Sequence, residues 1–404
     1  MSDAKPRIAI LGAGPTGLEA ALAAAEASHP FTLYEAAPTV AGNVRAWGHV
    51  RLFTPWEMNV SPRMRRHLEA AGRDVPGGSD CPTGDDLAAR LLAPLAALPE
   101  IAPNLRLGTR GLGVGREGLL KHEEIATPER GRRPFRILLA DGSGREWTET
   151  ADVVIDATGT WGHPNTLGDG GIPAPGERSL AGGIRRDIPD FAAERADWAG
   201  KAVLLAGAGH SAQTAVRALA ELAREAPGTR VVWALRNPEP GWGTHPGDPL
   251  PERAGLAAAA AELAGGASPA VVARRGAVVE EIAKPNGRFE VTLRGGGNGS
   301  GPERIAVDRI LSLTGSVGDH GLYRQLQVHE CYATCGPIKL SAALLGAGGA
   351  DCLAQTSHGA DTLTNPEPNF FILGAKSYGR NNTFLMRIGW EQVGEVFGML
   401  ASPA

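Results

Sequence analysis

The 404-residue chain is short of cysteine, with only Cys81, Cys331, Cys335 and Cys352. Four are too few for a disulfide framework in a chain of this size. No apolar run approaches the roughly 20 residues needed to span a bilayer. Neither charge sign dominates: Lys+Arg total 40 and Asp+Glu 44, a net charge of −4. No broad basic surface for nucleic acid is therefore implied. The first residues, Met1 to Pro6, run straight into an apolar strand pattern and do not read as a signal peptide. These absences predict a cytoplasmic protein with neither nucleic acid nor membrane as partner, and no metal is expected. With 43% hydrophobic and 21% charged residues, the chain has the composition of a globular protein of two or three domains.

Glycine is plentiful, and its placement carries the argument. Arg7 to Leu11 reads as a short buried strand and Leu18 to Ala27 as a helix. Between them stands Gly12-x-Gly14-x-x-Gly17, with Pro15 and Thr16 inside the turn. Gly12 permits the tight turn, Gly14 lets a pyrophosphate approach the backbone, and Gly17 lets helix and strand pack closely. The helix N-terminus then points free N–H groups at the phosphates. A second strand, Phe31 to Glu35, follows. Glu35 lies 35 − 14 = 21 residues past the middle glycine, where an acid should meet a ribose hydroxyl.

The same unit occurs twice. The first copy continues with a hairpin from Phe135 to Ala140, a turn at Asp141 to Gly144 and a return strand from Arg145. It closes on Asp152 to Gly159, ending in Thr158-Gly159. The second copy opens with Lys201 to Ala206 and the turn Gly207-x-Gly209-His210-Ser211-Ala212. It has a hairpin, Phe289 to Arg294 and Arg304 to Val307, around a loop from Gly295 to Gly301, and closes on Asp308 to Gly315 with Thr314-Gly315. The order predicts an α/β fold with two Rossmann-like dinucleotide-binding domains, each with a β-hairpin or meander.

Other segments read less regularly. Arg45 to Pro62 is a loop rich in tryptophan and proline. Thr83 is a helix N-cap with Asp86 as capping partner, and the helix continues from Leu87. Trp161 to Gly183 reads as a linker. The helix from Ser211 to Ala226 stops at Pro227-Gly228, and the strand Arg230 to Leu235 follows. Asn237 to Pro251 is a long irregular connection, either covering a site or lying solvated on the surface. Tyr323 to Val328 reads as helical, Phe370 to Leu373 as a strand, Gly374 to Arg380 as a turn and Leu385 to Leu400 as a final helix.

In this order the chain resembles flavoproteins with two dinucleotide-binding domains, the broad class of disulfide reductases and flavin-containing monooxygenases. The resemblance implies FAD on the first glycine turn and NAD(P)H on the second. It implies an NAD(P)H domain inserted in the FAD domain: residues 1–165 and 316–404 for FAD, and 166–315 between them. It places Gly374, Ala375 and the start of the last helix beside the flavin ring. Cofactor contacts are expected from Gly12, Gly14, Pro15, Thr16, Gly17, Glu35, Ala36, Arg45, Thr54, Thr158 and Gly159. They are also expected from Gly207, Gly209, His210, Ser211, Ala212, Arg236, Thr314, Gly315, Gly374 and Ala375.

NADPH is favoured over NADH. Arg236 lies 236 − 209 = 27 residues past the second middle glycine, where an acid would otherwise bind the ribose. An acid would repel a 2′-phosphate, whereas a guanidinium binds it with paired hydrogen bonds. The bland reading of Arg236 is a surface arginine. His210 either touches phosphate or nicotinamide or faces solvent.

The disulfide reductases of this class carry a close cysteine pair after the first βαβ opening or in the NADPH domain, and neither region has one here. The first glycine turn also lacks the cysteine that some thiol-handling relatives carry there. Cys331 and Cys335 are four apart, with Gly336-Pro337 following, and read as a buried or incidental pair. By contrast, Ala157-Thr158-Gly159-Thr160-Trp161 followed by Pro164, and Val50 to Pro55 after Ala41-Gly42-Asn43, look like the monooxygenase branch. There the Val50 to Pro55 loop lies over the flavin. That makes Trp56, Met58, Asn59 and Arg63 candidate pocket residues, with Asn59 able to hydrogen-bond a flavin peroxide. The bland alternative puts Trp56 and Met58 in the core. His163 and His358 are further pocket candidates, with a structural role as the bland alternative. The F-x-G-x-x-x-H stretch of that branch is missing; Leu180 to Asp187 stands in its place.

The resulting expectation is an NADPH-dependent FAD monooxygenase that forms a flavin peroxide and oxygenates a small molecule at nitrogen, sulfur or a carbonyl, with O2 as co-substrate. The alternatives are a reductase of a small disulfide, quinone or partner protein, and a non-catalytic redox sensor. A homodimer is compatible with each.

Overall fold

The computed structural model describes residues 5–244, 248–296, 301–347, 353 and 355–401. Cys352, residues 245–247 of the Asn237 to Pro251 connection and residues 297–300 of the second hairpin loop lie outside them. The chain divides into two compact units, one made of residues 1–163 and 317–404, the other of residues 164–316. Each is an α/β unit around a parallel sheet, the two-Rossmann architecture expected from the sequence.

In the first unit the sheet order is Phe370–Ile372, Val153–Asp156, Ile8–Leu11, Phe31–Tyr34, Leu105–Arg106, all parallel. Strand side chains alternate faces, and here both faces are buried. Ile8, Ile10, Val153, Ile155 and Phe371 join one core with Leu18 and Leu22 of the helix Pro15–Glu26. Ile388, Val393 and Val396 of the helix Met386–Ala401 complete it. Ala9, Leu11, Val154, Phe370 and Ile372 point the other way. They meet Val114, Phe135, Ile137 and Leu139 of an antiparallel meander. Full burial of each such Val, Leu, Ile or Phe side chain contributes about 1.5–3 kcal/mol.

The second unit repeats the plan. Its parallel sheet runs Val271–Arg275, Arg230–Leu235, Ala202–Ala206, Arg309–Ser312, Ile184–Arg185. Leu204, Ala206 and Ile310 pack on Val279, Phe289, Val291 and Leu293 of a second meander. The helix His210–Glu225 buries Ala212, Ala215, Val216 and Leu219 at helical spacing.

Each unit carries a three-stranded meander, one of the two forms expected: Thr109–Arg116 joins the first hairpin and Val278–Ala283 the second. Two local expectations change. Tyr323 to Val328 is not a helix; only a 3-10 turn forms, at Gly321–Tyr323. Tertiary partners outcompete the helix there, since the Gln327 N–H goes to Glu367 Oε2 at 2.8 Å. The Thr83–Asp86 capping box forms with both its bonds. Its helix is broken, however, passing through a π turn at Ala88–Leu92 before Ala93–Ala96. Pro94 lacks the N–H that an unbroken helix would use at that point. No described helix is long and apolar enough to cross a membrane.

Candidate functional site: a dinucleotide cradle and the cavity beside it

In the first unit, Gly12 ends its strand with φ +98°, and a Cβ there would lie 2.6 Å from the Ala157 carbonyl oxygen. Only glycine suits that backbone and that contact. A Cβ on Gly17 would collide with the Gly12 carbonyl, so these two glycines close the turn. Gly14 is different: a Cβ there would meet nothing within 4 Å. It therefore serves the open side of the turn rather than its packing. Glu35 Oε2 accepts the Ala13 N–H at 2.9 Å and Oε1 the Ala37 N–H at 3.0 Å. Each oxygen keeps a further lone pair for a ribose hydroxyl.

A cavity of about 660 Å³ opens beside this turn. That is within the range of ligand sites. Gly12, Gly14, Pro15, Thr16, Glu35 and Ala36 form one part of its wall; Thr54, Asn59, Thr158, Gly159, Trp161 and His163 form another. Gly374, Ala375, Phe384, Leu385 and Met386 complete it from the last strand and helix. Tyr34 also lines it, its phenol donating to Glu149 Oε2 at 2.5 Å. Burial and the Glu149 carboxylate push that phenol well above its ordinary pKa, so it remains a neutral wall residue. The glycine cradle, the open Gly14 and the buried carboxylate fit the adenosine and pyrophosphate part of a dinucleotide.

Not every candidate reaches the cavity. Trp56 is buried in the core with Met64 and Leu68, and the Arg90 guanidinium lies 5.1 Å from its ring centroid. Met58 is absent from the wall, and Arg63 is held by ion pairs to Glu19 and Glu26. Arg45 is exposed, its Nε donating to the Val40 carbonyl at 3.2 Å, and Gly17 lies behind the turn. Asn59 does line the cavity, but its amide is engaged. Nδ2 donates to the Thr54 and Pro55 carbonyls at 2.8 and 2.9 Å, and Oδ1 accepts from the Thr54 hydroxyl at 2.8 Å. In this arrangement Asn59 braces the loop that presents Thr54. His358 is not on the wall; its Nε2 lies 3.4 Å from Gln355 Oε1.

One feature behind the wall escaped the sequence reading. Lys376 is buried, and its ammonium donates to Asp156 Oδ2 at 2.5 Å and to the Thr158 hydroxyl at 3.2 Å. Thr158 in turn donates to Asp156 Oδ1 at 2.7 Å. The turn carrying Thr158-Gly159 and the turn carrying Gly374-Ala375 are thus tied by one charged cluster. The only sequence signal was a lysine and an aspartate, each two residues or fewer from a predicted cavity residue.

The second unit has its own glycine turn. Gly207 has φ +125°, and a Cβ there would lie 2.1 Å from the Leu313 carbonyl oxygen, while a Cβ on Gly209 would meet nothing within 4 Å. Ala212 is buried beneath the turn and Ser211 is exposed on it. Thr314 Oγ1 donates to the Asn165 carbonyl at 2.9 Å, and Gly315 takes φ +82°. Arg236 is exposed just past the strand Arg230–Leu235. The irregular Asn237 segment folds back on this turn. Trp242 lies 5.3 Å from Trp233, ring to ring, and its carbonyl accepts from Gln213 Nε2 at 3.1 Å.

The three described cysteines, Cys81, Cys331 and Cys335, are not on the cavity wall. Cys331 is buried and Cys335 half-buried in a turn in which the Cys335 N–H donates to the Cys331 carbonyl at 2.8 Å. Hydrogen bonds from Thr334 hold the Cys331 thiol below its ordinary pKa. No group of three or more potential metal ligands occurs among the described residues.

Solved structures share this architecture. Bacillithiol disulfide reductase Bdr (YpdA) from Bacillus cereus is 17% identical with a TM-score of 0.68, covering 98% of this chain and 99% of its own. Ornithine hydroxylase PvdA from Pseudomonas aeruginosa is 14% identical with a TM-score of 0.63, covering 98% of both chains. Thioredoxin reductase from T. acidophilum is 15% identical with a TM-score of 0.59, covering 99% of this chain and 100% of its own. At such identities the likeness speaks for the fold. A search of the curated proteins gave no match in sequence. The family profile described as "Pyridine nucleotide-disulphide oxidoreductase" matches residues 6–331, and the chain belongs to that family of FAD- and NAD(P)H-dependent oxidoreductases.

Proposed function

We propose that the protein is an NADPH-dependent flavin monooxygenase that places one oxygen atom on a nitrogen, a sulfur or a carbonyl carbon of a small molecule. The observation that supports this reading is the make-up of the cavity wall. None of the described residues lining it is a cysteine, and Thr16 occupies the glycine turn where a thiol relay could have stood. On this reading electrons meet no dithiol among the described residues beside the site, and O2 is taken as the acceptor. The overall balance is substrate, O2, NADPH and a proton giving oxygenated substrate, NADP and water.

FAD and NADPH, when bound, supply the two-electron chemistry. The chain's own residues bind, orient and exclude water. In the first unit Gly12 and Gly14 shape the pyrophosphate cradle and Glu35 accepts from the ribose. Thr158, Gly159, Gly374 and Ala375 form the opposite part of the wall, with their turns held by Lys376 and Asp156. Trp47, Leu52, Phe384, Leu385 and Met386 keep the cavity apolar, which suits oxygen chemistry that water would short-circuit. In the second unit Gly207, Gly209, His210, Ser211 and Ala212 offer the NADPH cradle, and Arg236 its 2′-phosphate contact.

A second reading, reduction of a small disulfide, has one observation in its favour: Cys331, its thiol held below the ordinary pKa by hydrogen bonds from Thr334, stands four residues from Cys335 in one turn. Turnover under labelled O2 with amines, thioethers and ketones separates the two. The monooxygenase reading expects label in the product and unimpaired turnover in the Cys331→Ser/Cys335→Ser variant. Unlabelled products throughout, with NADPH-dependent disulfide reduction lost in that variant, would establish the reductase instead.

A further inference from the structure

A second cavity of about 560 Å³ lies in the first unit, away from the glycine turn. Lys121, Arg324, His320 and His329 stand on its wall, with Val328 and Ile338 as apolar neighbours. We propose that this cavity is a separate site for a small organic anion, whose carboxylate or phosphate head is held by Arg324 and Lys121 and whose short apolar body rests on Val328 and Ile338. The proposal is independent of the monooxygenase reading.

The charge arrangement points this way. Arg324 and His329 have no carboxylate partner among the described residues. Among the described residues Lys121 Nζ donates to the Arg324 carbonyl alone, at 3.0 Å, which fixes its position without neutralising it. The one acid among the described wall residues, Glu330, is already engaged: His320 Nδ1 lies 2.8 Å from its Oε2. The other nitrogen of the His320 ring, Nε2, is shut off from solvent and has no partner among the described residues. The wall therefore offers unneutralised cationic donors beside a carboxylate turned to its own neighbours. An anionic oxygen head is the complement to such donors.

The site also has a route to the first cavity. The 3-10 turn Gly321–Tyr323 serves both: Leu322 lines the first cavity and Tyr323 the second. The Lys376 ammonium lies 5.0 Å from the centre of the Tyr323 ring. An occupant of the second cavity thus presses on the residue that touches the Lys376–Asp156 cluster.

The test is calorimetric titration of the FAD-loaded protein with inorganic phosphate in one arm and butyrate in the other, at constant ionic strength. Saturable binding is expected in at least one arm, and the arm that binds names the head group. Arg324→Ala/Lys121→Ala should weaken that binding about tenfold or more, the scale of one lost charge-assisted hydrogen bond. Both side chains are exposed, so the variant should keep the wild-type circular dichroism and melting curve. A small shift of the visible flavin spectrum on saturation should disappear with the variant. Heats that do not saturate in either arm, or that saturate equally in the variant, would overturn the proposal.

Discussion

The Lys376 ammonium and the Asp156 carboxylate meet at 2.5 Å with both side chains buried, joining two turns 220 residues apart in sequence. Removing one partner would leave a charge without water or counter-ion. Lys376→Met is therefore expected to cost about 3–5 kcal/mol in urea denaturation. Asp156→Asn added to it should recover part of that loss, because the remaining charge is removed too. A loss below about 1 kcal/mol for Lys376→Met would mean that the pair does not brace the cavity.

Arg236 offers a test of coenzyme choice. A guanidinium on the 2′-phosphate makes charge-assisted bonds that NADH cannot make. Arg236→Ala should raise the KM for NADPH about tenfold or more while leaving that for NADH nearly unchanged. Equal changes for both coenzymes would show that Arg236 is an ordinary surface residue.

A cluster on the first helix predicts acid behaviour. Burial alone would raise the Glu26 carboxyl, but hydrogen bonds from Arg63 and Arg66 outweigh it and bring the pKa from 4.5 down to about 2. A depressed folded pKa contributes stability that is fully present above the unfolded value and fades as pH falls through the folded one. Glu26→Gln should therefore be less stable than the wild type at pH 6, and the two should converge as pH falls from about 4.5 to about 2. Urea midpoints across that range measure it; a gap that stays constant would contradict it.

What could be read in the sequence was whatever is local. The glycine turns, the closing Thr-Gly strands, the Thr83–Asp86 cap and the final helix each depend on residues within a few positions of one another. The strand Thr109–Arg116 was hidden because Gly111, Gly113 and Gly115 remove its alternating apolar pattern, and only its partner Phe135–Asp141 secures it. Trp56 was a pocket candidate because the Val50 to Pro55 loop before it resembles one that lies over the flavin; its ring takes the alternative place, in the core. The charged clusters were invisible for a different reason. Glu367 binds Arg116 and Arg130 across 251 and 237 residues, and no spacing rule connects such positions.

Everything turns on whether the first cavity holds FAD, and the visible spectrum of the purified protein tests this most directly. The wild type should show bound flavin, as isolated or after incubation with FAD. Gly14→Val should be colourless and yet melt close to the wild type, since the added Cβ meets nothing within 4 Å and the branched side chain enters the open cradle. A wild-type protein that stays colourless when offered FAD, or a Gly14→Val variant that binds it equally well, would contradict the account.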